Sequence, residues 1–326
     1  MKKKNFSPLL IICFNRPTKV KNLIKIISQN TKSINKVYFK IDGPKNIQDK
    51  IKIKQVISQI INLKKKKHFK VFMKIEKRNL GLQKNIISGI DWAFKKNKEL
   101  IILEDDNIPS PSFFKFCHKM LSLYRYNKNI MHISGTSFLK NRKMDDYYFS
   151  KILDCVGWAT WKSSWNKLIK KFNLNEVLDN KKFENYFNTN EEKLWFSHYL
   201  FREVNSNDGK NLWTTWWVLT LILNKGLSIN PSKNLVFHDG YNFEDSPEHF
   251  NRKAFIKKKF KIQKIKVKNL RKKPIKYLRF FDNEHFKIIK KIDPHFEILN
   301  LLKWKFKMLL RNSLYKKNFQ SAKIKL

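Results

Sequence analysis

Glu104, Asp105 and Asp106 stand side by side at the end of an apolar run, inside residues 100–116, LIILEDDNIPSPSFFKF. Three adjacent carboxylates placed directly after a buried strand are costly unless a positive charge faces them. A divalent cation is the obvious candidate, because hard cations take carboxylate oxygens. The competing reading is a solvated acidic turn leading into a helix, with Ser110 or Ser112 as its N-cap. The run alone does not choose between the two.

The elements around it bear on the choice. Residues 8–14, PLLIICF, read as a buried parallel strand, and Pro17 or Thr18 opens a helix to about Gln29. Residues 36–41 form a second strand closed by Asp42-Gly43-Pro44, and a lysine-rich helix follows over about 48–63. Residues 69–75 are a third strand, 83–95 a helix, and 100–103 a fourth strand. A helix runs from about Ser112 to Tyr126, and residues 131–134 are another strand. Strand–helix alternation at this spacing predicts a parallel, helix-flanked α/β sheet. In such sheets ligands bind beyond the carboxyl ends of the strands. Asn15 and Arg16, then Asp42, then Asn79, then Glu104 to Asp106 are therefore expected at one rim.

Further along lie two tryptophan-rich blocks, CVGWATWKSSW at 155–165 and LWTTWWVL at 212–219. Between them residues 173–204 form a charged, helical excursion. Residues 226–231, GLSINP, read as a turn, and 236–249 as a polar loop rich in His, Asp and Glu. Past about residue 251 the chain becomes lysine-rich and amphipathic, including KWKFKMLL at 303–310. A lysine-flanked apolar face there (Trp304, Phe306, Met308, Leu309) either lies on an anionic membrane or packs on the preceding domain.

Composition narrows the function classes. A chain of 326 residues with 42% hydrophobic and 14% aromatic residues can bury a large core. The net charge of +44 points to nucleic acid, to an anionic membrane surface, or to coding bias. Lysine is strewn over every segment rather than gathered on one, which favours coding bias. No zinc-finger spacing or RNA-binding aromatic signature accompanies it, so no specific nucleic-acid partner is expected. Three scattered cysteines, Cys13, Cys117 and Cys155, contain no CxxC pair and suit a reducing compartment. The apolar part of MKKKNFSPLLIICFNRP is short for a signal sequence and lacks a cleavage site, so a cytoplasmic enzyme is expected. No stretch reaches the length needed to span a bilayer.

ICFNRP, KIDGP, RNLGL before a helix, the EDD-to-FF segment and GWATW together resemble a nucleotide-sugar glycosyltransferase of the GT-A fold. The likeness is to the group around N-acetylglucosaminyltransferase I and bacterial sugar transferases, and it covers about residues 8–249. The resemblance implies a GT-A domain over 1–250, with a nucleotide half at 1–108 and an acceptor half at 109–250. Residues 251–326 would be a basic, mainly helical appendage. It implies a UDP-sugar donor, a glycan or lipid-linked acceptor, and Mn2+ or Mg2+, with work at the inner face of a membrane on surface glycans. Asp106 and His249, with His238 as second choice, would bind the metal. Cys13, Asn15, Arg16, Asp42, Asn79, Gly81, Lys84, Glu104 and Asp105 would line the donor. For Asp42 a base-recognition role and a plain Asp-Gly-Pro turn role stand side by side. Lys84 is equally a solvent-facing lysine. Trp158 and Trp161 would stack on the acceptor, although some of the tryptophans are expected in the core. One departure matters: relatives carry an acidic catalytic base where this chain has Trp213-Thr214-Thr215-Trp216. An inverting reaction would then need its base from elsewhere, with Asp154, Asp208, Asp239 and Asp245 as candidates, and loss of activity or a retaining mechanism stays open beside it. The alternative function is an anionic-surface or nucleic-acid binder with a degenerate site.

Overall fold

The computed structural model describes residues 6–66, 68–137, 139, 146–205, 213–239 and 262–292. They fall into two compact units, one of Met1–Asn166 with Leu227–Tyr277, the other of Lys167–Gly226 with Leu278–Leu326. The boundary expected near residue 250 lies outside the described residues.

The first unit begins with β1 (Leu9–Cys13), buried along its whole length as a central parallel strand requires. Pro17 sits in the first turn of α1 (Pro17–Gln29), where a missing N–H costs nothing. Then come β2 (Lys36–Ile41), α2 (Ile47–Lys64) and β3 (Lys70–Ile75). The side chain of Asn46 caps α2 by accepting from the Asp49 N–H, and Ile53, Val56, Ile60 and Leu63 form its buried stripe. α3 (Leu82–Phe94), β4 (Glu99–Glu104) and the short β5 (Asn107–Pro109) follow. α4 (Pro111–Leu123) drives Phe113, Phe114, Phe116 and Met120 into the core. β6 (Ile130–Ser134), β7 (Tyr147–Ser150), β8 (Trp158–Trp161), β9 (Leu227–Pro231) and β10 (Val236–His238) complete the strands described.

Eight of these strands make one sheet in the order β3-β2-β1-β4-β8-β6-β9-β7. β3-β2-β1-β4 is parallel throughout, and β6–β9 is parallel too. β8 runs antiparallel between β4 and β6, and β7 runs antiparallel to β9. This is the mainly parallel, helix-flanked α/β sheet that the strand–helix alternation predicts. β10 pairs with β5 in a separate two-stranded ribbon.

Two segments differ from expectation. Residues 226–231 are not a turn, because 227–231 form β9 inside the sheet. Its Ser228 and Asn230 are buried polar residues that satisfy each other, with Ser228 Oγ donating to Asn230 Oδ1 at 2.5 Å and Asn230 Nδ2 to the Ile152 carbonyl at 3.0 Å. That pairing replaces the apolar alternation by which a strand is usually recognised. Residues 236–238, read as loop, are β10 and clamp the acidic turn through β5.

The lysine-rich region is a helix over Arg279–Ile292, in the second unit. Residues 262–277 instead run as a strap on the first unit. Ile265 and Leu270 enter its core, the Ile265 N–H donates to Ser112 Oγ at 3.3 Å, and the Tyr147 hydroxyl donates to the Arg271 carbonyl at 2.7 Å. Trp304, Phe306, Met308 and Leu309 lie outside the described residues. Among the described residues no helix is long and apolar enough to cross a membrane.

In the second unit, helices Leu174–Leu178, Lys181–Glu184, Asn190–Asn205 and Trp213–Leu223 share a core that includes Phe183, Phe196, Leu200 and Leu219. The Trp213-Thr214-Thr215-Trp216 segment is part of the last of these helices, with Thr215 buried.

Gly157 opens β8 with φ of 62°, and a Cβ there would meet Val236 Cγ2 at 2.8 Å. Both constraints call for glycine. Gly157→Ala should destabilise the protein by about 2–4 kcal/mol, read from denaturant unfolding. Gly81→Ala has φ of 78° but open space around the new Cβ, and should cost only about 1–2 kcal/mol.

Candidate functional site

The strand order reverses direction at β1, with β2 on one side and β4 on the other, so a crevice opens beyond the carboxyl ends of β1 and β4. The acidic turn closes one wall of it and the β1–α1 loop the other. Arg16 reaches across, its Nη1 donating to Asp105 Oδ1 at 3.1 Å and to Asp106 Oδ2 at 2.9 Å. The second oxygen of Asp105 accepts from the Phe14 N–H at 3.2 Å. Both aspartates are buried, with 6% of each exposed. Asn107 Nδ2 donates to Asp106 Oδ1 at 3.1 Å, and His238 Nε2 stands 3.5 Å from Asp106 Oδ2.

Negative charge exceeds positive charge in this crevice. Burial first, and then the charges of Asp106 and Asp105, push the Glu104 carboxyl up to about 8, against the pull of Arg16. Burial pushes Asp105 up to about 6; Arg16 opposes the rise and Asp106 adds to it.

Asn107 joins two motifs that are distant in sequence. Its Oδ1 accepts from the Glu104 N–H at 3.0 Å and from the Gly157 N–H at 3.1 Å. The acidic turn and the GWATW block are thus held by one amide side chain. Sequence reasoning passed over Asn107; its position directly after the acidic run was the available signal.

Asp42, after β2, has donors on both oxygens. Oδ1 accepts from the N–H groups of Gly43 at 2.9 Å and Leu80 at 2.8 Å, and Oδ2 from the Gly81 N–H and Asn79 Nδ2, each at 3.1 Å. A carboxylate has about four acceptor directions, so a base N–H would have to displace one of these bonds. Of the two roles open to Asp42, the turn role is the one the hydrogen bonds display. Asn79 belongs to the same knot, and Gly81 supplies the positive φ that starts α3. Asn15 Nδ2 donates to Asp49 Oδ1 at 2.6 Å and so ties the β1–α1 loop to the start of α2. Lys84 is exposed on the first turn of α3.

The candidate bases separate. Asp154 lies beside the acidic crevice, close enough to His238 for the imidazole's charge to act on it. Its Oδ2 accepts from Thr136 Oγ1 at 2.9 Å and its Oδ1 from the Val156 N–H at 3.0 Å. Its carbonyl accepts from His132 Nε2 at 3.0 Å. Burial raises its protonation range, and the bonds from Val156 and Thr136 and the charge of His238 work against that. Asp239 contributes its backbone, the N–H to the Asp106 carbonyl at 2.8 Å and the carbonyl to Lys19 Nζ at 3.1 Å. Asp208, Asp245 and His249 lie outside the described residues.

Three expected contacts meet a physical obstacle. Cys13 faces the core, 2% exposed, so its thiol does not line the crevice. Trp158 is 1% exposed and stacks on His132 with centroids 5.1 Å apart. Trp161 is buried and donates its indole N–H to the Leu121 carbonyl at 3.2 Å. β8 is an interior strand packed on both faces, so neither ring offers a face to a sugar. Burial also lowers His132 to about 3 and keeps its ring neutral.

Among the described residues no three His, Cys, Asp or Glu side chains are arranged as a metal cage. The groups around the Asp106 carboxylate are nitrogens, from Arg16, Asn107 and His238.

UDP-glucose pyrophosphorylase solved with UDP-glucose is similar over 78% of this chain and 100% of its own, at 11% identity and a TM-score of 0.38. Its apo form is similar over 78% and 99%, at 12% identity and a TM-score of 0.36. The chain matches no protein-family model and no curated protein.

Because the folded state raises Glu104 and Asp105 above their ordinary values, it binds those protons more tightly than the unfolded chain. Their contribution is favourable in acid and is lost as pH rises from the unfolded values through about 6 and about 8. Glu104→Gln should therefore raise the melting temperature in chelator at pH 8.5 by several degrees more than it does at pH 5, read by differential scanning fluorimetry.

Proposed function

We propose that the protein is a GT-A glycosyltransferase that moves a sugar from a UDP-sugar to a hydroxyl of a glycan or lipid-linked acceptor. The observation that carries this reading is the Arg16–Asp105–Asp106 pairing at the mouth between β1 and β4. A guanidinium and a carboxylate cluster at a switch point suit a diphosphate and its counter-cation. The resemblance of the surrounding motifs to nucleotide-sugar transferases supplies the donor class. Mn2+ or Mg2+ bound there would stabilise the leaving diphosphate as a Lewis acid.

Each residue then has a task. Asp106, with His238 beside it, holds the cation end of the donor. Arg16 meets diphosphate oxygens with its planar fork. The knot of Asp42 and Asn79 fixes the loop that opens α3, and the missing side chain of Gly81 lets the donor come close to the backbone there. Asp154 takes the proton from the acceptor hydroxyl. Thr136 and Val156 aim its carboxylate, and its raised protonation range makes it a stronger proton acceptor than a solvated aspartate. We place the reaction in surface-glycan synthesis on the cytoplasmic side, in peripheral contact with an anionic membrane.

Calorimetry of UDP with Mn2+ tests the donor site. Asp106→Asn should abolish manganese-dependent UDP binding, and binding equal to wild type sinks the reading. Asp154→Asn should keep UDP affinity within about twofold while turnover falls roughly 100-fold or more. An undiminished rate would remove Asp154 as the base.

A further inference from the structure

A second cavity lies at the end of the sheet away from the acidic crevice. It holds about 530 Å³ and is lined where β4 begins and β8 ends. β4 runs from Glu99 to Glu104, so about 17 Å of strand separates the two places. Lys98, Arg125 and Lys162 bring positive charge to this cavity, and Glu99 is its one carboxylate among the described residues. Glu99 is already satisfied, Oε1 accepting from Ser7 Oγ at 2.7 Å and Oε2 from Arg125 Nη2 at 3.3 Å. The two lysines are brought together by the backbone. The register that sets Glu99 opposite Trp161 continues outward, and the Lys162 N–H donates to the Lys98 carbonyl at 2.9 Å. Like charges on facing positions repel, and among the described residues neither ammonium has a carboxylate partner. Tyr126 stands at the same cavity, 92% exposed.

We propose that this cavity is a second ligand site, for a phosphate monoester with a sugar-sized body. Three cations against one carboxylate leave two positive charges uncompensated. A phosphate monoester carries about −1.5 to −2 at pH 7 and matches that excess. Arg125 engages Glu99 through Nη2 and keeps the rest of its fork for phosphate oxygens, while the two ammoniums act as point charges. The volume lies within the range of small-molecule sites, roughly 300–1,000 Å³, and exceeds what a bare phosphate fills. The exposed ring of Tyr126 offers an apolar face to the carbons of a sugar, and Ser163 and Asn166 offer a hydroxyl and an amide to its own hydroxyls. The site is separate from the donor crevice and does not depend on the function proposed there. The same ester chemistry occurs on a free sugar phosphate and on the headgroup of phosphatidic acid.

Calorimetry of the full-length protein with glucose 6-phosphate, at fixed ionic strength, reads the site. Wild type should bind this ester several-fold more tightly than inorganic phosphate. Lys98→Gln with Lys162→Gln, both at exposed positions, should weaken it about tenfold or more, the scale of lost charged hydrogen bonds. That double variant should melt no lower than wild type, because a repulsion is removed. Removing two exposed charges from α2 instead, by Lys50→Gln with Lys54→Gln, should leave the affinity within about twofold, since charges more than a Debye length away are screened. Excess UDP with Mn2+ should not displace the ester. Flotation with phosphatidylcholine vesicles, with and without phosphatidic acid, distinguishes the source. Vesicle binding that needs phosphatidic acid, Lys98 and Lys162, without binding of glucose 6-phosphate, assigns the ester to a lipid. The site is overturned if neither probe binds, or if the α2 pair weakens binding as much as the cavity pair. Displacement by UDP, or inorganic phosphate binding as tightly as the ester with no dependence on phosphatidic acid, overturns it as well.

Discussion

The crowding of Glu104, Asp105 and Asp106 at the end of β4 is the constraint on which the rest of the site depends. Burial and mutual repulsion hold the Glu104 and Asp105 carboxyls well above their usual range. Such a cluster survives only if neighbouring elements bring donors to it. Arg16, the Phe14 N–H, Asn107 and His238 do so from the β1–α1 loop, β5 and β10. The short β5–β10 ribbon is best understood in this light. It fixes the backbone that follows the acids and places His238 opposite Asn107.

The fold delivers these donors through its strand order. A parallel run with β1 and β4 adjacent puts two loops side by side at one end of the sheet. β8 then inserts antiparallel, so its beginning, not its end, lies near the carboxyl end of β4. Gly157 and the preceding Asp154 reach the crevice for that reason, while Trp158 and Trp161 turn into the core. The tryptophan block therefore serves the site by packing. Trp158 stacks on His132, and His132 holds the carbonyl of Asp154.

Side chains that tie loops to one another do much of the positioning. Asp42 gathers Gly43, Asn79, Leu80 and Gly81, and Asn15 binds Asp49. Each joins segments more than 30 residues apart, apart from the local Gly43 bond. Hydrogen bonds to a buried carboxylate are among the stronger ones a protein makes, so these loops are held without metal or ligand.

The sequence by itself determined the alternation of β1 to β4 with α1 to α3, because long apolar runs bounded by Pro, Gly and Asn leave few alternatives. It also brought Asn15, Arg16, Asp42, Asn79 and the acidic turn to one rim, since parallel strands end on the same side. β9 and β10 were not legible. Their polar residues are buried and satisfied by partners far along the chain, such as Asn230 by Ile152, and no local pattern records such a partner. The tryptophans were ambiguous for a related reason: composition cannot tell a ring packed inside a sheet from one waiting at a rim. Only the tertiary structure decided that Arg16 lies on Asp105 and Asp106, that Asn107 ties the acidic turn to Gly157, and that Asp154 stands by His238. Those contacts span from 50 to 90 residues of sequence. They exist because sheet order, not sequence order, sets which side chains meet.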